Sequence, residues 1–216
     1  VVMSQDAADN LTTTYVYDQK GRLISTTDPR GNTTSYTYDQ KGQLTSTTDA
    51  LDGTATSTYD SMGRVDTATD ANGGTVKYLY DSMGRVLSEV AKNVTYTDPD
   101  TGSTVTQDIT TISYTYDKRG NKLTQTDAEG NVTSYEYDAL GRMTKQTAPG
   151  NKVTTYEYDE VGQLLKTTDP MGNITTSTYN NGGRTLTSTD AAGNVTSYEY
   201  DGLGRVSKQI NPDETF

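Results

Sequence analysis

The chain has 216 residues and a formal net charge of -11, with no cysteine and no histidine. Those two absences exclude disulfides, thiolate metal sites, a cysteine nucleophile, histidine triads, His-ligated zinc and a histidine pH switch. The acidic balance argues against binding a nucleic-acid backbone, which needs clustered Lys and Arg, and no apolar run approaches the roughly 20 residues of a membrane span.

Low hydrophobicity with a high net charge is a compositional sign of disorder. Here the distribution argues otherwise. Sixteen of the 17 tyrosines fall in one repeated motif, and the surrounding Thr and Val suit a pleated, half-buried surface. The first copy, Tyr15-Val16-Tyr17-Asp18-Gln19-Lys20-Gly21-Arg22-Leu23, sets the pattern. The second keeps Tyr36, Tyr38, Asp39 and Gly42. The third puts Ser57 in the first tyrosine position, then has Tyr59, Asp60, Gly63 and Arg64. The fourth has Tyr78, Tyr80, Asp81, Gly84 and Arg85. The fifth has Tyr114, Tyr116, Asp117 and Gly120, with its aliphatic residue moved along to Leu123. Tyr135, Tyr137, Asp138, Gly141 and Arg142 form the sixth copy, and Tyr156, Tyr158, Asp159 and Gly162 the seventh. The eighth carries Ser177 and Asn180 around Tyr179, with Gly183 and Arg184, and the ninth has Tyr198, Tyr200, Asp201, Gly204 and Arg205. The second tyrosines are 21 residues apart throughout, except for 36 between Tyr80 and Tyr116. A fixed period of this size identifies a repeat architecture.

Within a copy such as Asp127 to Thr147, two β-prone runs alternate with two Asp-x-x-Gly turns, with Asp at position i and Gly at i+3 of a type I turn. Pro29 and Pro170 sit at i+1, where their fixed φ suits the turn. The spacing predicts an all-β antiparallel hairpin meander of about eighteen strands, one array over residues 1–216. If the turn after the tyrosines carries a G1 bulge, Asp138 opposes Arg142 and Tyr137 opposes Met143. The same rule pairs Tyr17 with Leu23, Tyr38 with Leu44, Tyr59 with Val65, Tyr80 with Val86, Tyr158 with Leu164 and Tyr200 with Val206. It places tyrosine with aliphatic on one face and Asp with Arg on the other. Because 21 is odd and side chains alternate with period two, two identical turns would flip the tyrosines at each repeat. Either the second turn, at Asp28-Pro29-Arg30-Gly31, has a different register or a bulge restores the face. The additional residues at about 88–112, with their own turn at Asp98 to Gly102, read as one longer hairpin projecting beyond its neighbours. Both ends read as cut inside the repeat: Asp6 to Thr14 is a stretched copy of the segment before Tyr135, and the chain stops after Val206 where another turn is due. That makes the chain a piece of a longer protein.

The carboxylates sit at turn positions, so no catalytic residue, metal ligand or cofactor is assigned, and an enzyme is the poorest reading. No Asp-x-Asp-x-Asp calcium loop or Gly-Gly-x-Gly-x-Asp nonapeptide is present. Regular tyrosines could stack on sugars, but the hairpin modules that bind choline and glucan rely on tryptophan, which is absent. The sequons at Asn32, Asn131, Asn173 and Asn194 arise from the repeated Gly-Asn turn exit. A cysteine-free array rich in Thr, Gly, Asn and Asp favours a secreted or cell-surface location.

The string Tyr-x-Tyr-Asp-x-x-Gly-Arg-Leu, followed by Thr-Asp-Pro-x-Gly-Asn, closely resembles the RHS or YD repeat family across essentially the whole chain. The resemblance implies hairpins winding as a curved or spiralling strip. Its members include bacterial polymorphic toxin shells, insecticidal toxin complex cages, teneurins and wall-associated proteins. The Asp-Pro-x-Gly segments at Asp28 and Asp169 look like the family's self-cleavage signature, but they occupy ordinary turn slots. The resemblance implies a non-catalytic shell region enclosing a C-terminal toxin or effector. A filament or adhesin scaffold, with cell-surface glycans as partners, is the alternative. In either case a single layer needs further repeats, or copies of itself, to cover its tyrosine face.

Overall fold

The computed structural model describes residues 2–5 and 12–212. The start of the proposed stretched copy, Asp6 to Leu11, lies outside the described residues. Nineteen strands are present, and no helix occurs among the described residues. The chain divides into two compact units, 1–113 and 114–216.

The first unit begins with β1 (Val2–Gln5), β2 (Thr12–Tyr17), β3 (Leu23–Thr27), β4 (Thr33–Tyr38) and β5 (Leu44–Thr48). It continues through β6 (Thr54–Tyr59), β7 (Val65–Thr69), β8 (Thr75–Tyr80) and β9 (Val86–Thr97) into β10 (Thr104–Tyr116). Each strand through β9 pairs antiparallel with the next, and β9 closes on β10. The second unit repeats the plan with β11 (Lys122–Asp127), β12 (Val132–Tyr137), β13 (Met143–Ala148), β14 (Lys152–Tyr158) and β15 (Leu164–Thr168). It ends in β16 (Ile174–Tyr179), β17 (Thr185–Thr189), β18 (Val195–Tyr200) and β19 (Val206–Ile210). These too pair in sequence order. Consecutive antiparallel strands need only short turns, and Asp-x-x-Gly supplies most of them; the corners at Asp49–Asp52, Asp98–Gly102, Ala148–Asn151 and Asn180–Gly183 depart from it.

The registers after the tyrosines are those the turn chemistry predicts: Tyr17 with Leu23, Tyr38 with Leu44, Tyr59 with Val65, Tyr80 with Val86, Tyr137 with Met143, Tyr158 with Leu164 and Tyr200 with Val206. Asp138 donates its N–H to the Arg142 carbonyl at 3.0 Å, and Gly141 donates to the Asp138 carbonyl at 3.0 Å. Gly141 has φ 81°, the left-handed conformation that a G1 bulge requires.

Of the two ways to keep the tyrosines on one face, the structure rules out the first. The second turn does not differ: Asp28 donates to Asn32 O at 2.9 Å, Gly31 donates to Asp28 O at 3.0 Å, and Gly31 has φ 87°. A second bulge does the work instead. Between the Tyr17–Leu23 and Val16–Ser25 pairs, Ile24 has no partner on β2. The same extra residue recurs in β5, β7, β9, β13, β15, β17 and β19. It supplies the odd residue, so Tyr15, Tyr36 and Tyr78 share a face while Ser25, Thr27, Thr33 and Ser35 line the other. On that other face hydroxyls pair across strands, as between Thr27 and Thr33 at 2.8 Å and Thr69 and Thr75 at 2.8 Å.

The additional segment forms the long hairpin β9–β10, closed by Gly102 N–H donating to Asp98 O at 2.8 Å. β8 follows β9 only as far as the Thr75–Lys92 pair, so the tip beyond Lys92 extends past that neighbour. At Asn93 (φ 52°) the strand bulges, and Asp108 fills the gap by accepting from the Asn93 N–H at 3.1 Å and from Lys92 Nζ. Among the described residues none is buried, whether apolar or polar. Stability therefore rests on cross-strand pairs and turn hydrogen bonds, each worth about 0.2–1 kcal/mol, rather than on a core.

Candidate functional site

The motif residues converge at the turn that follows each second tyrosine. Asp18 Oδ1 accepts from the Lys20 N–H at 2.8 Å and the Arg22 N–H at 2.9 Å, while Oδ2 accepts from Arg22 Nε at 2.7 Å. Arg22 then leaves its own hairpin. Its Nη1 donates to the Asp39 carbonyl at 3.1 Å, and its guanidinium lies 4.8 Å from the centre of the Tyr38 ring. Tyr38 reaches back the opposite way, its hydroxyl donating to Leu23 O at 2.8 Å. One turn is thus tied to the next by a hydrogen bond in each direction and a cation–π contact.

The same unit recurs at Arg64, which binds Asp60, donates to Asp81 O at 3.3 Å and lies 4.4 Å over Tyr80, whose hydroxyl donates to Val65 O at 2.8 Å. It recurs at Arg142, which donates to Asp159 O at 2.6 Å and lies 4.9 Å over Tyr158. Arg184 lies 5.7 Å from Tyr200. The Asp–Arg pairs form at the predicted positions, but Arg is not confined to the face opposite the tyrosines, because its guanidinium covers the next repeat's ring. The imperfect copies keep the link by other means. Gln43 Nε2 donates to Gly63 O at 2.9 Å. In the fifth copy Asn121 binds Asp117 Oδ2 at 2.8 Å, and Lys122 Nζ lies 4.8 Å over Tyr135. Sequence reasoning missed this inter-repeat ladder. Its signal is the invariant interval of 16 residues from Arg22 to Tyr38, Arg64 to Tyr80, Arg142 to Tyr158 and Arg184 to Tyr200.

The carboxylates of Asp18, Asp28, Asp81, Asp127, Asp138, Asp169, Asp190 and Asp201 are held ionised. The Arg22 backbone N–H, the largest cause, lowers the Asp18 pKa, and the equivalent Arg N–H does so at Asp81, Asp138 and Asp201. At the second turns the Asn32 side-chain amide lowers Asp28, and Asn131, Asn173 and Asn194 lower Asp127, Asp169 and Asp190. Partial desolvation raises the Tyr80 and Tyr137 hydroxyls. Carboxylates fixed by their own backbone are poor proton shuttles. Among the described residues no three acidic side chains converge to hold a metal. An open cleft of about 350 Å³ lies between two second turns, lined by Asn32, Thr33, Ser35, Thr48, Asp49 and Asp52.

No curated relative matches the chain. Against solved structures, a complex of TcdB2-TccC3 with Cdc42 aligns over 97% of this chain and 12% of its own, at 20% identity and TM-score 0.71. TcdB2-TccC3 without its hypervariable C-terminal region aligns over 93% and 11%, at 20% identity and TM-score 0.68. The Tc holotoxin pore of Photorhabdus luminescens aligns over 99% and 14%, at 19% identity and TM-score 0.53. The chain thus spans about an eighth of these structures, and the likeness is one of fold. RHS-repeat models match residues 144–174, 158–193 and 179–215. The teneurin YD-shell model matches residues 2–135, more than half of the chain, and with the tyrosine-aspartate hairpins in place the chain belongs to that family.

Proposed function

We propose that the chain is a non-catalytic wall segment of a hollow β-shell, and that the shell encloses a toxin or effector domain carried C-terminal to it. The observation that carries this reading is the coreless sheet: no described residue is buried, so the array must work as part of a closed or layered assembly. The fold match to TcdB2-TccC3 along nearly the full chain supports it, and the hypervariable C-terminal region named for that protein marks where cargo would lie. A wall of this kind acts outside the cell, as a secreted or surface-exposed protein. The alternative is an extracellular filament or adhesin scaffold with cell-surface glycans as partners. It draws on the same repeat plan, in which each strand pairs with its neighbour in sequence order and copies add along one axis. Negative-stain electron microscopy of the full-length protein separates the two. Closed hollow particles of uniform size are expected, and fibres with an axial repeat would overturn the shell.

A further inference from the structure

We infer that the open cleft between the turns at Asp28 and Asp49 seats a guanidinium group, carried by an arginine side chain of a peptide partner. The inference depends on neither the shell nor the filament. The cleft measures about 350 Å³, and Asn32, Ser35, Thr48, Asp49 and Asp52 line it. Asp49 Oδ1 is taken up by its own turn, accepting from the Leu51 N–H at 2.8 Å and the Gly53 N–H at 2.9 Å. Its Oδ2 receives no hydrogen bond from the described residues. In four other second turns an asparagine amide closes that oxygen, with Asn32 on Asp28 at 2.8 Å, Asn131 on Asp127 at 3.0 Å, Asn173 on Asp169 at 2.8 Å and Asn194 on Asp190 at 2.8 Å. Gly53 stands in the asparagine's place beside Asp49, so this carboxylate stays open. Asn32 directs its amide nitrogen to Asp28 and keeps its oxygen as an acceptor. With the Asp52 carboxylate, the lining is rich in acceptors.

The opposite edge of the same strands shows what fits between successive turns. There Arg22 bonds the Asp18 carboxylate at 2.7 Å and crosses to Asp39 O of the next turn at 3.1 Å. Arg142 bonds Asp138 at 2.6 Å and crosses to Asp159 O at 2.6 Å. In both cases the residue four places after the turn aspartate is long enough to bridge the gap. After the second turns that residue is Asn32, which folds back on Asp28, or Gly53, which has no side chain. The equivalent gap is therefore left open, with unused acceptors on its walls. A guanidinium brings five N–H donors in one plane and no acceptor, and it meets a carboxylate through two parallel bonds. An ammonium is a compact, strongly hydrated point charge without that fork. A sugar hydroxyl brings lone pairs of its own against oxygens that already lack donors. The net charge of -11 draws a basic peptide towards the chain, and the open Asp49 carboxylate fixes where its arginine docks.

The test uses the full-length protein and a short peptide carrying one arginine beside a benzophenone photolabel. Peptide mapping after illumination is expected to find the label on the segments that line the cleft. Argininamide should displace the peptide at several-fold lower concentration than lysinamide. Two variants change Asp49 in different ways. A Cβ added at Gly53 meets the Asp49 carboxylate first, so Gly53→Asn places an amide on Oδ2 as Asn32 does on Asp28, whereas Asp49→Asn removes the carboxylate. Cleft labelling should fall several-fold in both, with the circular dichroism of the parent retained. Labelling at the parent level in either variant would overturn the inference. So would equal displacement by argininamide and lysinamide, which reports general attraction to an acidic surface. Displacement by calcium ions at lower concentration than by argininamide would make the cleft a metal seat and overturn it as well.

Discussion

At the scale of single residues, the array is held by small terms repeated many times. The Asp60–Arg64 ion pair is open to water and screened, so it contributes little by itself. Arg64 matters more for the stack on Tyr80 at 4.4 Å and the bond to Asp81 O at 3.3 Å. Losing both in Arg64→Ala should cost about 1–2 kcal/mol. Arg64→Gln should cost less, because Gln43 makes the equivalent link to Gly63 O in a neighbouring copy. Urea midpoints of the two variants check the order, and equal losses would remove the inter-turn bond from the account. The carboxylates give a pH signature of definite sign. Asp18, Asp28, Asp81, Asp127, Asp138, Asp169, Asp190 and Asp201 are all lowered in the fold. A lowered carboxylate stabilises the fold fully above its unfolded pKa of about 3.9 and loses that contribution as pH falls through the folded value. The urea midpoint should therefore hold level from pH 7 to about pH 5 and drop below about pH 4. A midpoint that rises on acidification would show that repulsion among the acidic groups outweighs their turn bonds.

At the scale of the hairpin, the turns were legible and the bulges were not. Asp at i and Gly at i+3 specify a turn through their own backbone chemistry, so one tight turn type and the Tyr–aliphatic registers follow directly from the sequence. The odd period required a correction somewhere in each repeat, and arithmetic alone left two places for it. The bulge position holds Ile24, Thr45, Asp66, Leu87, Thr144, Leu165, Leu186 and Ser207. A bulge there needs no particular side chain, so no residue type marks it. In the fifth copy Lys122 takes the role that Leu23 has in the first: its carbonyl accepts from the Tyr137 hydroxyl at 2.9 Å, and its Nζ covers Tyr114 and Tyr135. The ladder from Arg22 to Tyr38 was hidden for a different reason. It joins residues of successive copies, whereas a motif read copy by copy shows only contacts within one hairpin. The long β9–β10 hairpin was legible as an interval of 36 instead of 21, but the Asp108 side chain that closes its bulge depends on tertiary geometry.

At the scale of the whole molecule, the argument turns on what the array can lose. Each 21-residue copy contains two strands and its own bulge, so it returns the chain to the same direction, edge and face. Removing residues 43–63 joins Gly42 to Arg64 and rebuilds a complete motif from Tyr38-Asp39 and Arg64-Val65. Arg64 then stands where Gln43 stood, with Asp39 in place of Asp60 as its carboxylate, and the bulge at Asp66 is retained. The full-length protein with this deletion should remain soluble, with the same circular dichroism per residue and a modest loss of stability, as expected when stability is a sum over repeats and their interfaces. Removing residues 54–63 instead deletes one strand and one turn, joining Gly53 to Arg64. The turn kept at Asp49–Gly53 would place β7 antiparallel to β5 where β6 had been, so every later strand runs in reverse and each later tyrosine turn moves to the opposite edge, which breaks the row of inter-turn links such as Gln43 to Gly63. That variant should lose more stability or aggregate, although it is missing fewer than half as many residues. Size-exclusion chromatography and circular dichroism of the two proteins decide the matter. If the shorter deletion is the better tolerated, the hairpin pair is not the unit from which this wall is built.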